Sequence, residues 1–160
     1  MIYTRAYESP LGLLDLESDG VALTRIRFPG EKRGPDPEAV RRDDAEPFAA
    51  AVAQLDAYFA GELAVFDLPL APGGTAFQRR VWDLLVEIPR GETISYAELA
   101  RRVGNPAACR AVGAANGRNP LAIVVPCHRV VASDGALTGY AGGVAVKKGL
   151  LELEKRAPRR

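Results

Sequence analysis

The first part of the chain alternates apolar stretches with short turn-forming segments, a pattern that predicts strands. The stretches MIYTRAYE, LGLLDLES and VALTRIRF are separated by SP and SDG, which is typical of an antiparallel meander. The segment PGEKRGPDPE then predicts a loop. In the following EPFAAAVAQLDAYFAGE, apolar residues recur at helical spacing at Phe48, Val52, Leu55 and Phe59. We therefore expect strands followed by one helix in this part.

The second part begins after FDLPLAPGG, whose proline and glycine content predicts a connection between two units. We place a strand/helix domain at residues 1–70 and a second domain at residues 71–160. A capping box from Thr75 to Gln78 predicts the start of a helix, because its side chains satisfy the first free N–H groups. The apolar face of that helix comprises Phe77, Val81, Leu84, Leu85 and Ile88.

The next feature is a tight turn between two short helices. A second capping box, from Ser95 to Glu98, starts the first of them. Gly104 then suits a left-handed helix end, Asn105 an N-cap and Pro106 a first helical position. This arrangement predicts a helix-turn-helix. The fold class is therefore α+β, with a small N-terminal antiparallel strand/helix lobe and a mainly helical C-terminal lobe.

The second helix of this motif has two unlike faces. We expect its apolar positions to be buried, at Ala108, Ala111, Val112 and Ala115. The residues roughly opposite are Arg110, Gly113, Ala114 and Gly117. A lone arginine among such small side chains lets the helix backbone come close to another surface. That surface is either DNA, with Arg110 entering a groove or base stack, or a neighbouring helix, which is the simpler interpretation from the helix alone.

The charge of the chain divides between its two parts. Residues 1–70 hold 7 Lys and Arg against 13 Asp and Glu, a net charge of −6. Residues 71–160 hold 14 against 7, a net charge of +7, so that the whole chain carries +1. This asymmetry indicates either a polyanionic partner for the basic part or merely uneven surface charge.

Composition restricts the chemistry further. Cys109 and Cys127 are too few for a disulfide framework, and with His128 they offer at most three ligands where a closed zinc site takes four. We therefore expect no metal, and free thiols in a reducing compartment, the cytoplasm. MIYTRAYESP lacks the apolar core of a signal peptide, and LAIVVPC is too short to cross a bilayer, so we expect no membrane partner.

Cys127 and His128 stand side by side in VVPCHRV, and His128 is the chain's only histidine. The apolar LAIVV predicts a strand that Pro126 ends, which brings the thiol to the strand's end. A thiol becomes a strong nucleophile when a base takes its proton or a cation stabilises the thiolate. Because neighbouring side chains of extended backbone point to opposite faces, we expect a bridging water between the two. Cys109, inside a helix, is expected to be a buried structural thiol.

These segments together resemble the O6-alkylguanine-DNA alkyltransferases, or methylated-DNA–protein-cysteine methyltransferases. The resemblance runs from FQRRVW at Phe77 through GETISYAELARRVGNP, RAVGAANGRNP and IVVPCHRVV to Glu154. It covers essentially the whole basic part, and PCHR in that setting is highly specific. The family also has a small N-terminal lobe of strands and a helix, which is similar to the pattern of residues 1–65 but less diagnostic.

The resemblance implies DNA repair by direct reversal without a cofactor. O6-alkylguanine, and also O4-alkylthymine, is flipped from duplex DNA, and its alkyl group passes irreversibly to Cys127 in a single turnover. His128 matches the base that deprotonates the thiol through a water, and Glu154 the carboxylate that orients this histidine. Tyr96 matches the residue that assists flipping and departure of the base. Asn119 matches a hinge between the helix-turn-helix and the active-site loop.

The resemblance also implies how DNA is bound: by a monomer, through the minor groove. Arg110 matches the finger that fills the gap left by the flipped nucleotide. Further DNA contacts are implied for Ser95, Tyr96, Gly113 and Arg118. The base pocket is implied to be lined by the backbone around Val130, by Tyr140 and by Ala141.

The chain departs from some relatives near this pocket. Ala141 stands where a serine is often found, so a contact to the guanine oxygen there must come from a backbone N–H. Ala122 replaces a proline of the pocket wall, which leaves the acceptable size of the alkyl group open. The zinc ligands of some relatives have no counterpart.

Two other classes of protein compete with alkyl transfer. A non-catalytic lesion sensor on the same fold would lack the acceptor thiol, so the presence of Cys127 argues against it. A cysteine hydrolase could use Cys127, His128 and Glu154, but it would not need the small-residue face of the helix-turn-helix. Incubation with alkylated DNA followed by intact mass measurement distinguishes the three classes. An alkyltransferase gains a permanent methyl adduct, a lesion sensor gains none, and a hydrolase instead turns over an ester.

Overall fold

The computed structural model describes residues 1–137 and 139–156 and has the predicted α+β architecture. Strands β1 (Tyr3–Ser9), β2 (Gly12–Ser18) and β3 (Leu23–Arg27) form the predicted antiparallel meander. A short β4 (Val40–Arg41) pairs in parallel with β1, which gives the sheet order β3-β2-β1-β4. The sequence did not predict β4, since two exposed residues carry no alternating pattern.

Helix α1 (Phe48–Phe59) packs its apolar face into the core of the N-terminal lobe. Phe48 and Leu55 are fully buried, and Val52 and Phe59 are partly buried, as their spacing predicts. Burial of one such side chain stabilises the fold by about 1.5–3 kcal/mol. Tyr58 is also buried in this helix, although its hydroxyl needs a partner there.

The C-terminal lobe consists of helices α2 (Ala76–Val86), α3 (Tyr96–Val103), α4 (Cys109–Gly117) and α5 (Val144–Lys155) and the short strands β5 (Ile94–Ser95) and β6 (Val130–Val131). The parallel β5–β6 pair joins the start of α3 to the segment after His128. Of the predicted 71–160 domain, residues 138 and 157–160 lie outside the described residues.

The two predicted capping boxes differ in the structure. Thr75 and Gln78 form the complete reciprocal pair at the start of α2. Ser95 accepts the backbone N–H of Glu98, but the Glu98 carboxylate turns to Arg101 and Arg102 instead of returning to Ser95. The second box is therefore half formed, because two guanidinium groups are stronger partners than one amide N–H.

The predicted boundary and buried face of α4 need correction. Gly104 ends α3 in the left-handed conformation, with φ of 97°, as predicted. Asn105 does not cap α4, because its side chain accepts the N–H of Ala107 and forms a separate turn. The helix begins only at Cys109, and both Cys109 and Ala111 are exposed, contrary to our expectation. The buried positions of α4 are Val112, Ala115 and Asn116.

The apolar LAIVV segment is buried but is not the predicted strand. Its backbone turns on itself through hydrogen bonds from Val124 N to Ala122 O (2.8 Å) and from Val125 N to Leu121 O (2.9 Å). Ile123 has a φ of 72°, in the region that side chains rarely adopt. A short apolar run predicts burial but does not distinguish a strand from a buried turn. Here the predicted burial is confirmed and the predicted strand is wrong.

The two lobes are joined by backbone hydrogen bonds along β3. Leu23 O accepts from the backbone N–H of Ala71 over 2.8 Å, and Ile26 donates to Pro120 O over 2.8 Å. The sheet of the N-terminal lobe therefore supports the turn segment that precedes Cys127. Across residues 1–137 and 139–156, no helix combines the length and apolarity needed to span a membrane.

Candidate active site

Cys127 is buried at the start of a short 3-10 turn, Cys127–Arg129, which follows the turn segment directly. Two side-chain amides from the end of α4 and the residues after it hold this backbone. Asn119 Nδ2 donates to Val125 O over 2.7 Å, and Asn116 Nδ2 donates to Cys127 O over 3.3 Å. These amides satisfy carbonyls that a strand would pair with a neighbouring strand, which is why the apolar run can turn here.

His128 lies next to Cys127 in the same turn and contacts the last turn of α5. Its Nε2 is 2.7 Å from Oε2 of Glu154, and both side chains are buried. A carboxylate accepts here, so Nε2 carries the hydrogen of the neutral imidazole and Nδ1 keeps its lone pair. Nδ1 is buried without a hydrogen-bond partner among the described residues. The imidazole therefore presents an unused proton acceptor beside the reactive turn.

Glu154 is surrounded by hydrogen-bond donors. Arg129 reaches it with Nε at 2.8 Å and Nη2 at 3.0 Å, and the hydroxyl of Tyr58 donates to Oε2. Burial opposes ionisation of Glu154, but the hydrogen bonds from His128 and Arg129 outweigh it and lower its pKa to about 2. The carboxylate is thus ionised at neutral pH, although it opposes the dipole of α5.

Burial keeps the reactive pair uncharged in the resting protein. It raises the pKa of Cys127 to about 11, against the opposing effects of the Asn119 hydrogen bond and the charge of Lys147. Burial also lowers the pKa of His128, despite its bond to Glu154. The thiol is therefore protonated in the resting protein, and it becomes a nucleophile only when a base removes its proton during the reaction.

A small cavity of about 20 Å³ borders Cys127. Tyr140 and Ala141, for which the resemblance implies a place in the base pocket, line this cavity together with Ala122 and Phe28. The Phe28 ring meets Tyr140 edge-on at 6.0 Å between centroids, so the N-terminal lobe closes one side. The Tyr140 hydroxyl is buried without a hydrogen-bond partner in the described part of the chain.

Val130 stands apart from this cavity. It is fully buried, it is not a lining residue, and its carbonyl accepts a hydrogen bond from Nζ of Lys147 over 2.8 Å. Burial lowers the pKa of Lys147. A pocket contact from the backbone around Val130 stays a prediction.

The residues predicted to bind DNA lie on α3 and α4 or directly beside them, with Ser95 just before α3 and Arg118 just after α4. Arg110 and Arg118 are exposed, while Ser95, Tyr96 and Gly113 are half-buried. A Cβ added to Gly113 would lie 3.8 Å from Cδ1 of Tyr96, so the bare face of α4 borders the Tyr96 ring. Ser95 pairs with Val131 through β5 and β6, which places the start of α3 beside the strand that leaves the reactive turn.

The prediction from sequence did not include Tyr58, Phe28, Asn116, Arg129 or Lys147 in this site. Arg129 and Asn116 were within reach, since they lie inside the quoted PCHR and NGRNP motifs. Tyr58 and Lys147 gave no signal, because one lies in an ordinary amphipathic helix and the other resembles a surface lysine. Within residues 1–137 and 139–156, no cluster of three or more His, Cys, Asp or Glu could hold a metal ion.

Comparison with known proteins connects both lobes to one family. Residues 2–72 match the 6-O-methylguanine DNA methyltransferase, ribonuclease-like domain, and residues 76–156 match the 6-O-methylguanine DNA methyltransferase, DNA binding domain. The methylated-DNA–protein-cysteine methyltransferase of Mycobacterium tuberculosis is 52% identical over 159 residues, which cover 99% of this chain and 96% of the relative. The protein of that name from Methanosarcina acetivorans is 51% identical, covering 96% and 98%.

Solved structures agree with the sequence relatives. The crystal structure of Mycobacterium tuberculosis OGT in complex with DNA superposes with a TM-score of 0.90 at 51% identity, covering 98% of this chain and 95% of that chain. The O6-methylguanine-DNA methyltransferase of Pyrococcus kodakaraensis gives a TM-score of 0.65 at 28% identity, covering 96% and 99%. The chain therefore belongs to the 6-O-methylguanine DNA methyltransferase family, the methylated-DNA–protein-cysteine methyltransferases.

Proposed function

We propose that this protein repairs DNA by moving the alkyl group from O6 of guanine to Sγ of Cys127, once per molecule. O4-alkylthymine is the second substrate, since it presents the same alkyl–oxygen bond. The observation that carries the proposal is the burial of Cys127 and His128 in one turn, with Nε2 of His128 bound to Glu154 and Nδ1 without a hydrogen-bond partner in the described part of the chain. This chemistry needs no cofactor.

The reaction begins with loss of the thiol proton. His128 Nδ1 takes it through a bridging water, and Glu154 stabilises the resulting imidazolium across the 2.7 Å contact. The thiolate attacks the alkyl carbon in line, so that the S–C bond forms as the C–O6 bond breaks. The electron pair stays with the base, and the Tyr96 hydroxyl donates a hydrogen bond to the leaving guanine. The product is a thioether, which has no carbonyl for water to attack, so Cys127 is not regenerated.

The substrate has to be a nucleotide flipped out of duplex DNA, because a stacked base cannot reach a buried thiol. In this proposal a monomer binds the minor groove with residues 71–160, Arg110 fills the gap left by the flipped nucleotide, and Asn119 holds the reactive loop against the helix-turn-helix. The bare side of α4 fits this role, since Gly113 has no side chain to keep the backbone away. Backbone or side-chain contacts to phosphates come from Ser95, Tyr96, Gly113 and Arg118.

The base pocket opens when the nucleotide enters. The cavity of about 20 Å³ beside Cys127 is far smaller than a purine, so Tyr140 and Ala141 shift away from Phe28. The buried Tyr140 hydroxyl, which lacks a partner among the described residues, and the backbone N–H of Ala141 are the groups that meet the base. A reducing compartment, the cytoplasm, keeps the acceptor thiol reduced.

Intact mass spectrometry tests the proposal. Duplex DNA with one O6-methylguanine should add a single methyl group to the protein, and peptide mapping should place it on Cys127. Cys109→Ala is the matched control, because it removes the exposed thiol and should react like the wild type. Cys127→Ala should gain no methyl group while still binding the duplex. A methyl group on Cys127→Ala, or repeated turnover of substrate, would overturn the assignment.

A further inference from the structure

The N-terminal lobe reaches into the candidate active site through one hydroxyl. Tyr58, near the end of α1, donates to Oε2 of Glu154, which is the oxygen that also accepts from Nε2 of His128. The contact spans 96 residues of sequence and joins α1 to α5. Both groups are buried, so water does not compete for the bond.

The Tyr58 side chain is held firmly in this place. Its ring packs against Phe59 and Phe66, with centroids 5.1 Å and 5.4 Å away. The guanidinium of Arg90 lies over the ring at 5.1 Å and itself donates to Leu63 O and Leu153 O. Arg90 thus bridges the segment after α1 and the residue before Glu154, which fixes the phenol and the carboxylate relative to each other.

We propose that Tyr58 is a positioning residue for alkyl transfer: its hydroxyl holds Glu154 against His128 and draws carboxylate charge away from the imidazole. The proposal rests on the proposed function, in which His128 is the base. Oε2 has three donors, from Tyr58, His128 and Arg129, so removing one leaves more negative charge facing the others. Tyr58 therefore sets how readily His128 takes and gives up a proton.

Other charged or titratable groups around His128 must be kept unchanged for this to be tested. They are Arg129 and Cys127 in its own turn, Lys147 and Glu154 on α5, and Arg90 beside Tyr58. Tyr58→Phe alters none of these and keeps the ring that packs against Phe66. Tyr7→Phe is a matched control, since the Tyr7 hydroxyl donates to Asp56 on the same helix without touching Glu154.

The only histidine of the chain makes the measurement direct, because a proton NMR titration reports His128 alone. In Tyr58→Phe we expect the pKa of His128 to rise, since the carboxylate it faces is less neutralised. The low-pH limb of the alkyl-transfer rate should move to higher pH by the same amount, with a larger rate loss at mildly acidic pH than at alkaline pH. Tyr7→Phe should change neither quantity.

A second substitution keeps the result decisive even if Tyr58→Phe folds poorly. Incorporation of 3-fluorotyrosine at position 58 preserves the phenol and makes it a stronger donor, so the pKa of His128 should fall. An unchanged His128 titration in both altered proteins would overturn the role of Tyr58. Because the titration needs no substrate, a wild-type protein that fails to accept methyl would refute the proposed function and leave this test intact.

Discussion

Asn116, in the last turn of α4, donates its side-chain amide to the backbone carbonyl of Cys127 over 3.3 Å. Asn119 adds a second bond from the residues just beyond α4, to Val125 O. The helix proposed to contact DNA and the turn that carries the thiol are therefore one hydrogen-bonded unit. A change in volume or charge at Cys127 reaches α4 without any intermediate.

Methylation of Cys127 should destabilise the protein through this unit. Adding a methyl group beside a cavity of about 20 Å³ overpacks the site, which typically costs ~1–3 kcal/mol. We expect a lower melting temperature after repair and faster hydrogen exchange across residues 113–127. Protein incubated with unmodified duplex is the control. A melting temperature that stays equal or rises after methylation would rule this out.

Arg110→Ala should slow repair of duplex DNA far more than reaction with free O6-alkylguanine. The arginine is exposed on the side of α4 that Gly113 leaves bare, so we expect it to assist flipping rather than bond formation. Single-turnover rates on the two substrates give the ratio. Lys148→Ala, which removes an exposed cation from α5, should leave both rates near the wild-type values. Equal losses on both substrates would remove Arg110 from the flipping step.

Acidification should destabilise the fold in two stages. Burial lowers the pKa of His128, so the unfolded chain binds its proton more tightly and stability falls as the pH drops below 6.5. The pKa of Glu154 is about 2 in the fold against 4.5 ordinarily, so its contribution is complete above pH 4.5 and is lost towards pH 2. Denaturant titrations across this range should show both stages. His128→Gln should lose the first, and retention of that stage would contradict the assignment.

Binding to duplex DNA should weaken with salt and depend little on base sequence. Phosphate contacts carry no base code. Each phosphate contact that forms releases condensed counterions and contributes about −0.9 to the slope of log affinity against log salt. Arg118→Ala should therefore make the slope shallower by about the contribution of one phosphate contact. The loss of affinity should be similar on duplexes of unrelated sequence. Fluorescence anisotropy at several salt concentrations gives the slopes. An Arg118→Ala slope equal to that of Lys148→Ala would place Arg118 outside the interface.

Much of the fold was predictable because its elements carry their own periodicity. The meander, α1 and the capped start of α2 follow from apolar spacing and from side chains that satisfy local N–H groups. The strand predicted before Cys127 was wrong because the conformation of this segment depends on Asn116 and Asn119. Their side-chain amides bind carbonyls that a strand would pair with a neighbouring strand. The predicted start of α4 was wrong for a similar reason. Asn105 can either cap a helix or form a turn of its own, and the surrounding structure determines which of the two it does.

Some features of the candidate active site could likewise be predicted from the sequence, and others could not. The adjacency of Cys127 and His128 is visible in the chain itself, and the resemblance supplied a role for Glu154. Two features depend on the three-dimensional arrangement: Nε2 of His128 faces Glu154 while Nδ1 has no hydrogen-bond partner within residues 1–137 and 139–156, and burial raises the pKa of the Cys127 thiol. Tyr58 had no signature, because a tyrosine in an amphipathic helix predicts packing and says nothing of a carboxylate 96 residues away.

Tyr58 on α1 and Glu154 on α5 form one hydrogen bond beside His128, and the order of these residues in the sequence matters during synthesis. A chain still growing on the ribosome has Tyr58, Cys127 and His128 before it has Glu154, so its histidine lacks the carboxylate that would stabilise a captured proton. Under the proposed function, we therefore expect the acceptor thiol to stay unreactive until α5 packs against the rest of the fold. We predict that ribosome-stalled chains with α5 still in the exit tunnel do not react with O6-methylguanine, whereas released chains do. Reaction of the stalled chains at the full rate would show that the acceptor thiol is reactive before the protein has finished folding.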